Sequence, residues 1–189
     1  SYHTMVEPLL DLMRDGKLKE TRVAPAKSGT IGLQELSERV DSNTRMILVP
    51  QISNLFGSEN PAKEICRWAH AEGKKRGDPL YVLVDGASAD CQIPVDVLDI
   101  GCDFFVSSAN KVGSESLGCL YMADGLIRKI EPIIKGDFGV RFLSHTRREV
   151  QQDYRKFISG ITAYSATYKL TLMLLLFDRI GVHNVCAHN

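Results

Sequence analysis

This sequence has no membrane-length apolar run, no disulfide framework and no excess of either charge. Its longest apolar stretch, Leu170 to Phe177 (LTLMLLLF), falls well short of the roughly 20 residues a membrane helix needs, and it predicts a buried helix instead. No charged start followed by an apolar segment opens the chain, so no secretory signal is visible. Five cysteines, an odd number without a CxxC pair, argue against disulfides and for a reducing compartment, so the expected location is the cytoplasm. Lys+Arg and Asp+Glu stand at 23 each, which leaves no whole-chain field to draw in nucleic acid or an anionic membrane. The basic run KKRGD (74–78) lacks interleaved aromatics and reads as a solvated loop. No GxGxxG or GxxxxGK follows an apolar run, which argues against the common nucleotide-binding loops, and no metal site is expected.

What is present is a sizeable apolar fraction, 44%, in a length of 189 residues that suits one domain. Several short apolar runs read as buried strands: TRVAP (21–25), RMILVP (45–50), LYVLV (80–84), DFFVSS (103–108) and LGCLYM (117–122). Helical patterns lie between them. Pro8 to Met13 is a short helix closed by Asp15-Gly16, and Gly32 to Val40 is a surface helix. Asn60-Pro61 marks a helix start, with Asn60 as its cap and Gly73 as its end. The segment from Lys135 to Ser159 reads as a long irregular loop, and Ile161 to Ile180 as a long helix that must be buried. Alternating strands and helices predict an α/β fold, a three-layer α/β/α sandwich with a mostly parallel sheet.

The stretch from Leu80 to Lys111 organises the rest. Its two apolar runs each lead to one charged residue, Asp85 and Lys111, and the segment between them is long enough for a crossover with a turn of helix. Two adjacent parallel strands place both residues on the carboxyl edge of the sheet, where open α/β sheets bind ligands. A lysine amine forms a Schiff base with an aldehyde cofactor, and a carboxylate keeps that cofactor's ring nitrogen protonated. Pyridoxal phosphate uses both groups. The plainer alternative is an Asp-Gly turn and a solvated lysine. Lys111 is nonetheless the only lysine between Lys75 and Lys129, and small residues precede it.

With VLVDGAS followed by IPVDVLDIGCDFFVSSANKVGSESLGCLY, the chain resembles the class V aminotransferase family of pyridoxal-phosphate enzymes, and within it the cysteine desulfurase branch. The likeness extends upstream through TRMILVPQISNLFGSENPAKEICRWAHAEG and downstream to DRIGVHNVCAHN. The resemblance implies a fold type I large domain with an antiparallel strand at 117–122, a homodimer, and an amino-acid substrate. It implies that Lys111 carries the cofactor and moves the substrate proton, and that Asp85 pairs with the ring nitrogen. In the same way Asn54 and Ser88 fall near the cofactor's phenolic oxygen, Ser108 and Asn110 near its phosphate, and His3 (or Tyr2) over its ring. Gln51, Ser88 and Asn110 depart from the residues typical of desulfurases, and Thr162 is one position away from the threonine that meets a neighbouring subunit's phosphate group. None of Cys66, Cys91, Cys102, Cys119 or Cys186 matches the persulfide cysteine of that branch.

The sequence opens SYHTMVEPLL, without an initiator methionine, and closes on CAHN as another helix is starting. The expectation is a single domain over 1–189, most of a cofactor-binding large domain, from which an N-terminal segment with the main phosphate loop and a small C-terminal domain are missing. Two functional classes are consistent with this pattern. One is a pyridoxal-phosphate enzyme of desulfurase or C–S lyase type, with epimerase-like or kynureninase-like chemistry as the runner-up. The other is a catalytically weak subunit of the same fold in a structural or partner role.

Overall fold

The structure, a computed structural model, describes residues 3–24 and 29–188. The first element, α1 (His3–Arg14), starts earlier than the sequence pattern suggests, and Gly16 in the left-handed region (φ 69°) terminates it. Residues 21–24 form no strand, contrary to expectation, and Pro25 lies outside the described residues. Arg22 gives the physical reason. Its guanidinium is spent on Glu20, on Asp41 at 2.8 Å and on the Arg39 carbonyl at 3.3 Å, which ties the segment to the loop after α2 (Leu33–Ser37) rather than to a sheet edge.

The sheet is built from β1 (Met46–Pro50), β2 (Tyr81–Asp85), β3 (Phe104–Ser108) and β4 (Gly118–Met122), in that spatial order. The first three are parallel and β4 runs antiparallel to β3, as expected for that stretch. The crossovers contain α3 (Ala62–Arg76) and α4 (Val97–Ile100). Successive right-handed crossovers between neighbouring strands put both helices on one face. Ile47, Val49, Val82, Val84 and Phe105 share that face by strand alternation and register, and all are buried against Ala62, Ile65, Cys66 and Ala69 of α3. On the opposite face Phe104 is buried too, while Leu48 and Leu83 are only half-buried.

Two local readings of α3 are corrected. Asn60 does not cap it. Its Oδ1 accepts from the Ile31 N–H at 2.8 Å and its Nδ2 donates to the Pro50 carbonyl at 2.8 Å, so neither group is left for the helix end. Gly73 does not end it either, because the helix continues to Gly77, whose φ of 69° suits the left-handed cap. Gly73 is instead the point of closest approach to the chain entering β2, where a Cβ would stand 2.9 Å from the Leu80 nitrogen.

Beyond the sheet lies the short α5 (Asp124–Ile127). The segment expected to be an irregular loop contains a hairpin of β5 (Val140–Leu143) and β6 (Arg148–Val150) between two 3-10 turns. The long helix α6 (Tyr164–Ile180) comes next, then α7 (Val182–His188). Only Ala166 of α6 is buried, and Leu172, Leu174, Leu175 and Leu176 are 46–60% exposed, so the expected burial is not provided by the described residues. Among those residues no single helix is long and apolar enough to cross a membrane.

Candidate cofactor site at the carboxyl edge of the sheet

Parallel pairing of β2 and β3 runs through Leu83↔Phe104 and Val84↔Phe105 to Asp85↔Val106, so Asp85 ends its strand level with the last turn of its neighbour. Alternation puts Asp85, Phe104, Val106 and Ser108 on the same face, the one that α3 does not cover. Immediately after Ser108, a 3-10 turn (Ala109–Val112) carries Lys111, with Ala109 and Val112 buried and Lys111 exposed. Gly113, at φ 83°, closes the turn. The apolar neighbours therefore pin the turn from below while the amine stands clear. Among the described residues no hydrogen bond or ion pair engages the Lys111 amine.

Asp85 is held by the turn on its C-terminal side. Its Oδ1 accepts from the Ala87 N–H at 3.0 Å, and the Gly86 N–H donates to the Val106 carbonyl at 2.8 Å, the last main-chain link between the two strands. Gly86 has a packing reason to be glycine, since an added Cβ would lie 1.9 Å from the Phe105 ring. Ser88 lies half-buried in the turn from Gly86 to Asp90, which is closed by the Ala89 and Asp90 N–H groups donating to the Gly86 carbonyl at 2.7 and 3.2 Å.

The third strand end belongs to β1. The Gln51 N–H donates to the Asp85 carbonyl at 2.8 Å, so the loop after β1 springs from directly beside the acid. That loop is a tight hairpin. Ile52 bridges Glu59, the Ser53 N–H donates to the Ser58 carbonyl at 2.8 Å, and Gly57 has φ 67°. Asn54 sits exposed at its tip beside Leu55 and Phe56, which are 82% and 62% exposed. Gln51 itself is buried, with its Oε1 lacking a hydrogen-bond partner. The Ser108 hydroxyl donates to Asn110 Oδ1, so the two residues expected near a phosphate touch each other. His3 is the first residue of α1, and its side chain, like all of Tyr2, lies outside the described residues.

The sequence pattern alone does not single out Asp90. Its Oδ2 accepts two hydrogen bonds at 2.9 Å each, from Ser107 Oγ and from the Ser108 N–H. Burial pushes its carboxyl above the ordinary aspartate value, and the nearby Asp85 adds to the rise, while the two hydrogen bonds oppose it. The one signal available in the sequence was an acid placed five residues beyond a strand-ending acid within small residues, a pattern that turns share.

Burial pushes the Cys66 thiol up to about 12 and Cys102 to about 11, and it raises Cys91 and Cys119 as well. Two cavities, of about 600 and 330 Å³, have linings that include neither Asp85 nor Lys111. The larger is lined by Gln51, Asn60, the starts of α3 and α4, and Val182 and His183; the smaller lies around Trp68 and Arg76.

The family model for class-V aminotransferases matches residues 1–189. This chain belongs to the class-V aminotransferase family. It is similar to a cysteine desulfurase of Yersinia pseudotuberculosis, with 36% identity over 148 residues that cover 77% of this chain and 35% of that protein. The chain thus spans about a third of the length of that curated relative. Among solved structures, the cysteine desulfurase CsdA of Escherichia coli superposes with a TM-score of 0.86 at 21% identity, covering 96% of this chain and 44% of that one. The cystine C–S lyase C-DES, in complex with cysteine persulfide, superposes with a TM-score of 0.85 at 18% identity, covering 96% and 48%. The α/β fold with its mostly parallel sheet is therefore the fold of class-V aminotransferases, and the carboxyl edge carrying Asp85 and Lys111 is the one on which a family cofactor has to be tested.

The donor set fits pyridoxal phosphate. A carboxylate and an unengaged amine stand at the ends of neighbouring parallel strands, with hydroxyl and amide groups beside them. The glycine after Asp85 also lets the chain pass close over Phe105.

Proposed function

We propose that this chain is the cofactor-holding part of a pyridoxal-phosphate enzyme that acts on an amino acid by cysteine desulfurase or C–S lyase chemistry. The observation that supports the reading most is the placement of Asp85 and Ser108 on one face at adjacent parallel strand ends, with Lys111 on the turn just beyond. When bound, the cofactor supplies an electron-withdrawing ring that takes up charge from the substrate's α-carbon.

The residues divide the work by their chemistry. Lys111 would hold the cofactor aldehyde through its amine, and its Nζ is the group that would move the substrate's α-proton. Asp85, whose Oδ1 accepts from the Ala87 N–H, would hold the ring nitrogen and favour its protonated form. Ser88 and Asn54 are assigned to the phenolic oxygen, Ser108 and Asn110 to the phosphate, and His3 to the ring face. Ser108 would have to give up its hydrogen bond to Asn110 Oδ1 before donating to a phosphate, whereas the Asn110 Nδ2 group takes no part in that bond and could donate directly. Burial raises the thiols of Cys66, Cys91, Cys102 and Cys119, which disfavours the thiolate form that a persulfide carrier uses.

We also propose a single large-domain unit over 1–189, a homodimer and a cytoplasmic location. The exposed leucines of α6 support a covered face, and an odd number of cysteines without a CxxC pair supports a reducing compartment. A second reading, a subunit of this fold that does little chemistry, is favoured by the short side chain of Ser88 in its half-buried turn. The absorbance spectrum of the full-length protein separates the two. A visible band that is abolished by borohydride, together with sulfide or alanine release from cysteine, supports the enzyme. A protein that stays colourless with added cofactor supports the subunit.

A further inference from the structure

The β2–β3 ladder ends at Asp85↔Val106, followed by one last main-chain hydrogen bond from Gly86 to Val106. Beyond that point β2 turns away, and β3 continues for two residues, Ser107 and Ser108, with β4 alone as its strand partner. A half-buried main-chain N–H on the vacated side needs an acceptor. The chain supplies one from a side chain. Asp90, at the end of the turn that β2 makes after Asp85, directs Oδ2 to the Ser108 N–H and the Ser107 hydroxyl at 2.9 Å each.

We propose that Asp90 is a positioning residue that takes over from the missing strand and locks the tip of β3, and with it the Lys111 turn, to the turn that begins at Asp85. The same turn thus carries the acid assigned to the ring nitrogen and the carboxylate that fixes the frame of the amine. Both hydrogen bonds are charge-assisted and converge on one oxygen, which restrains β3 in two directions. Without them, the hydrogen bonds that tie the Lys111 turn to other elements are those from the Ala109 N–H to the Leu117 carbonyl and from Ser114 Oγ to the Ala166 carbonyl, both on the β4 and α6 side. The role of Asp90 is geometric, so an asparagine, which keeps an acceptor oxygen in the same place, serves in its stead. The link to catalysis rests on the cofactor reading under Proposed function; the clamp itself does not.

The test compares full-length wild type, Asp90→Asn and Asp90→Ala by amide hydrogen exchange across residues 107–113 and by induced circular dichroism of added pyridoxal phosphate, with far-UV dichroism as the check on folding. In Asp90→Ala, exchange at Ser108 and through the Lys111 turn is expected to rise by about tenfold or more, while exchange in β1 and β2 stays unchanged. In Asp90→Asn it stays near the wild-type rate. The induced signal is expected to fall in the alanine variant and persist in the asparagine variant. Wild-type exchange in the alanine variant overturns the clamp, and so does an asparagine variant as loose as alanine. If wild type gives no induced signal, the cofactor reading fails, and the exchange rates still decide the clamp.

Discussion

Asn60 bridges to Pro50 across the mouth of the β1 hairpin, its Nδ2 donating to the Pro50 carbonyl at 2.8 Å while its Oδ1 accepts from Ile31 on the far side. The side chain is 3% exposed, so both main-chain partners would lose their hydrogen bonds without water to replace them. Replacing it with alanine should cost about 2–6 kcal/mol, at 1–3 kcal/mol for each of the two buried groups left unpaired. Asn60→Asp keeps the acceptor but buries a carboxylate whose second oxygen faces the Pro50 carbonyl, so near neutral pH it should be no more stable than the alanine variant. Urea unfolding of the three proteins checks the order. An alanine variant as stable as wild type would show that the bridge contributes nothing.

Gly86→Ala places a methyl group 1.9 Å from the Phe105 ring, which is itself buried in the core. The clash should lower stability by about 1–3 kcal/mol. Gly118, in β4, has no heavy atom within 4 Å of an added Cβ, so Gly118→Ala should stay within about 0.5 kcal/mol of wild type. Thermal melts of the pair measure the difference, and equal melting temperatures would contradict the close approach of the Asp85 turn to β3.

Most of the sheet was legible in the sequence because unbroken β-branched and aromatic runs such as LYVLV and DFFVSS read as neighbouring strands of a parallel sheet. Asp85 and Lys111 were legible as strand-end residues for the same reason. Tertiary demands hid the rest. TRVAP has strand composition, yet Arg22 ties it to Asp41, and Asn60-Pro61 has helix-start composition, yet Asn60 serves two loops. Gly73 looked like a stop because its true reason, the passage of Leu80, is 7 residues further along the chain. Asp90 could not be found without knowing where β2 leaves the sheet.

Asp90 should also leave a mark on the pH dependence of stability. Its carboxyl lies above the ordinary 3.8 in the folded protein, so the folded state binds its proton more tightly than the unfolded state. Its contribution is therefore greatest at pH values below 3.8 and is lost as pH rises through the raised folded value. Asp90→Asn lacks that loss. The stability of the asparagine variant minus that of wild type should increase from acid to neutral pH, measured by urea unfolding at each pH. A difference that stays flat or decreases would contradict the raised value.

Lys156 is 2% exposed, and its Nζ has no hydrogen-bond partner; Glu131 stands 3.9 Å away and Phe157 lies under it with the ring centroid at 5.4 Å. A buried ammonium so poorly matched costs more in lost hydration than it regains. Lys156→Met, similar in length and apolar, should raise stability by about 1 kcal/mol. A loss of stability in the thermal melt would show that the Glu131 pairing outweighs the desolvation.

The central claim is that Lys111, on the turn just beyond Ser108, is the residue that bonds to pyridoxal phosphate. The direct measurement is borohydride reduction of the full-length protein loaded with the cofactor, followed by peptide mapping by mass spectrometry. The account predicts one pyridoxyl phosphate group on the peptide containing Lys111, and none in Lys111→Ala. Labelling of another lysine in wild type, or of none, would contradict it.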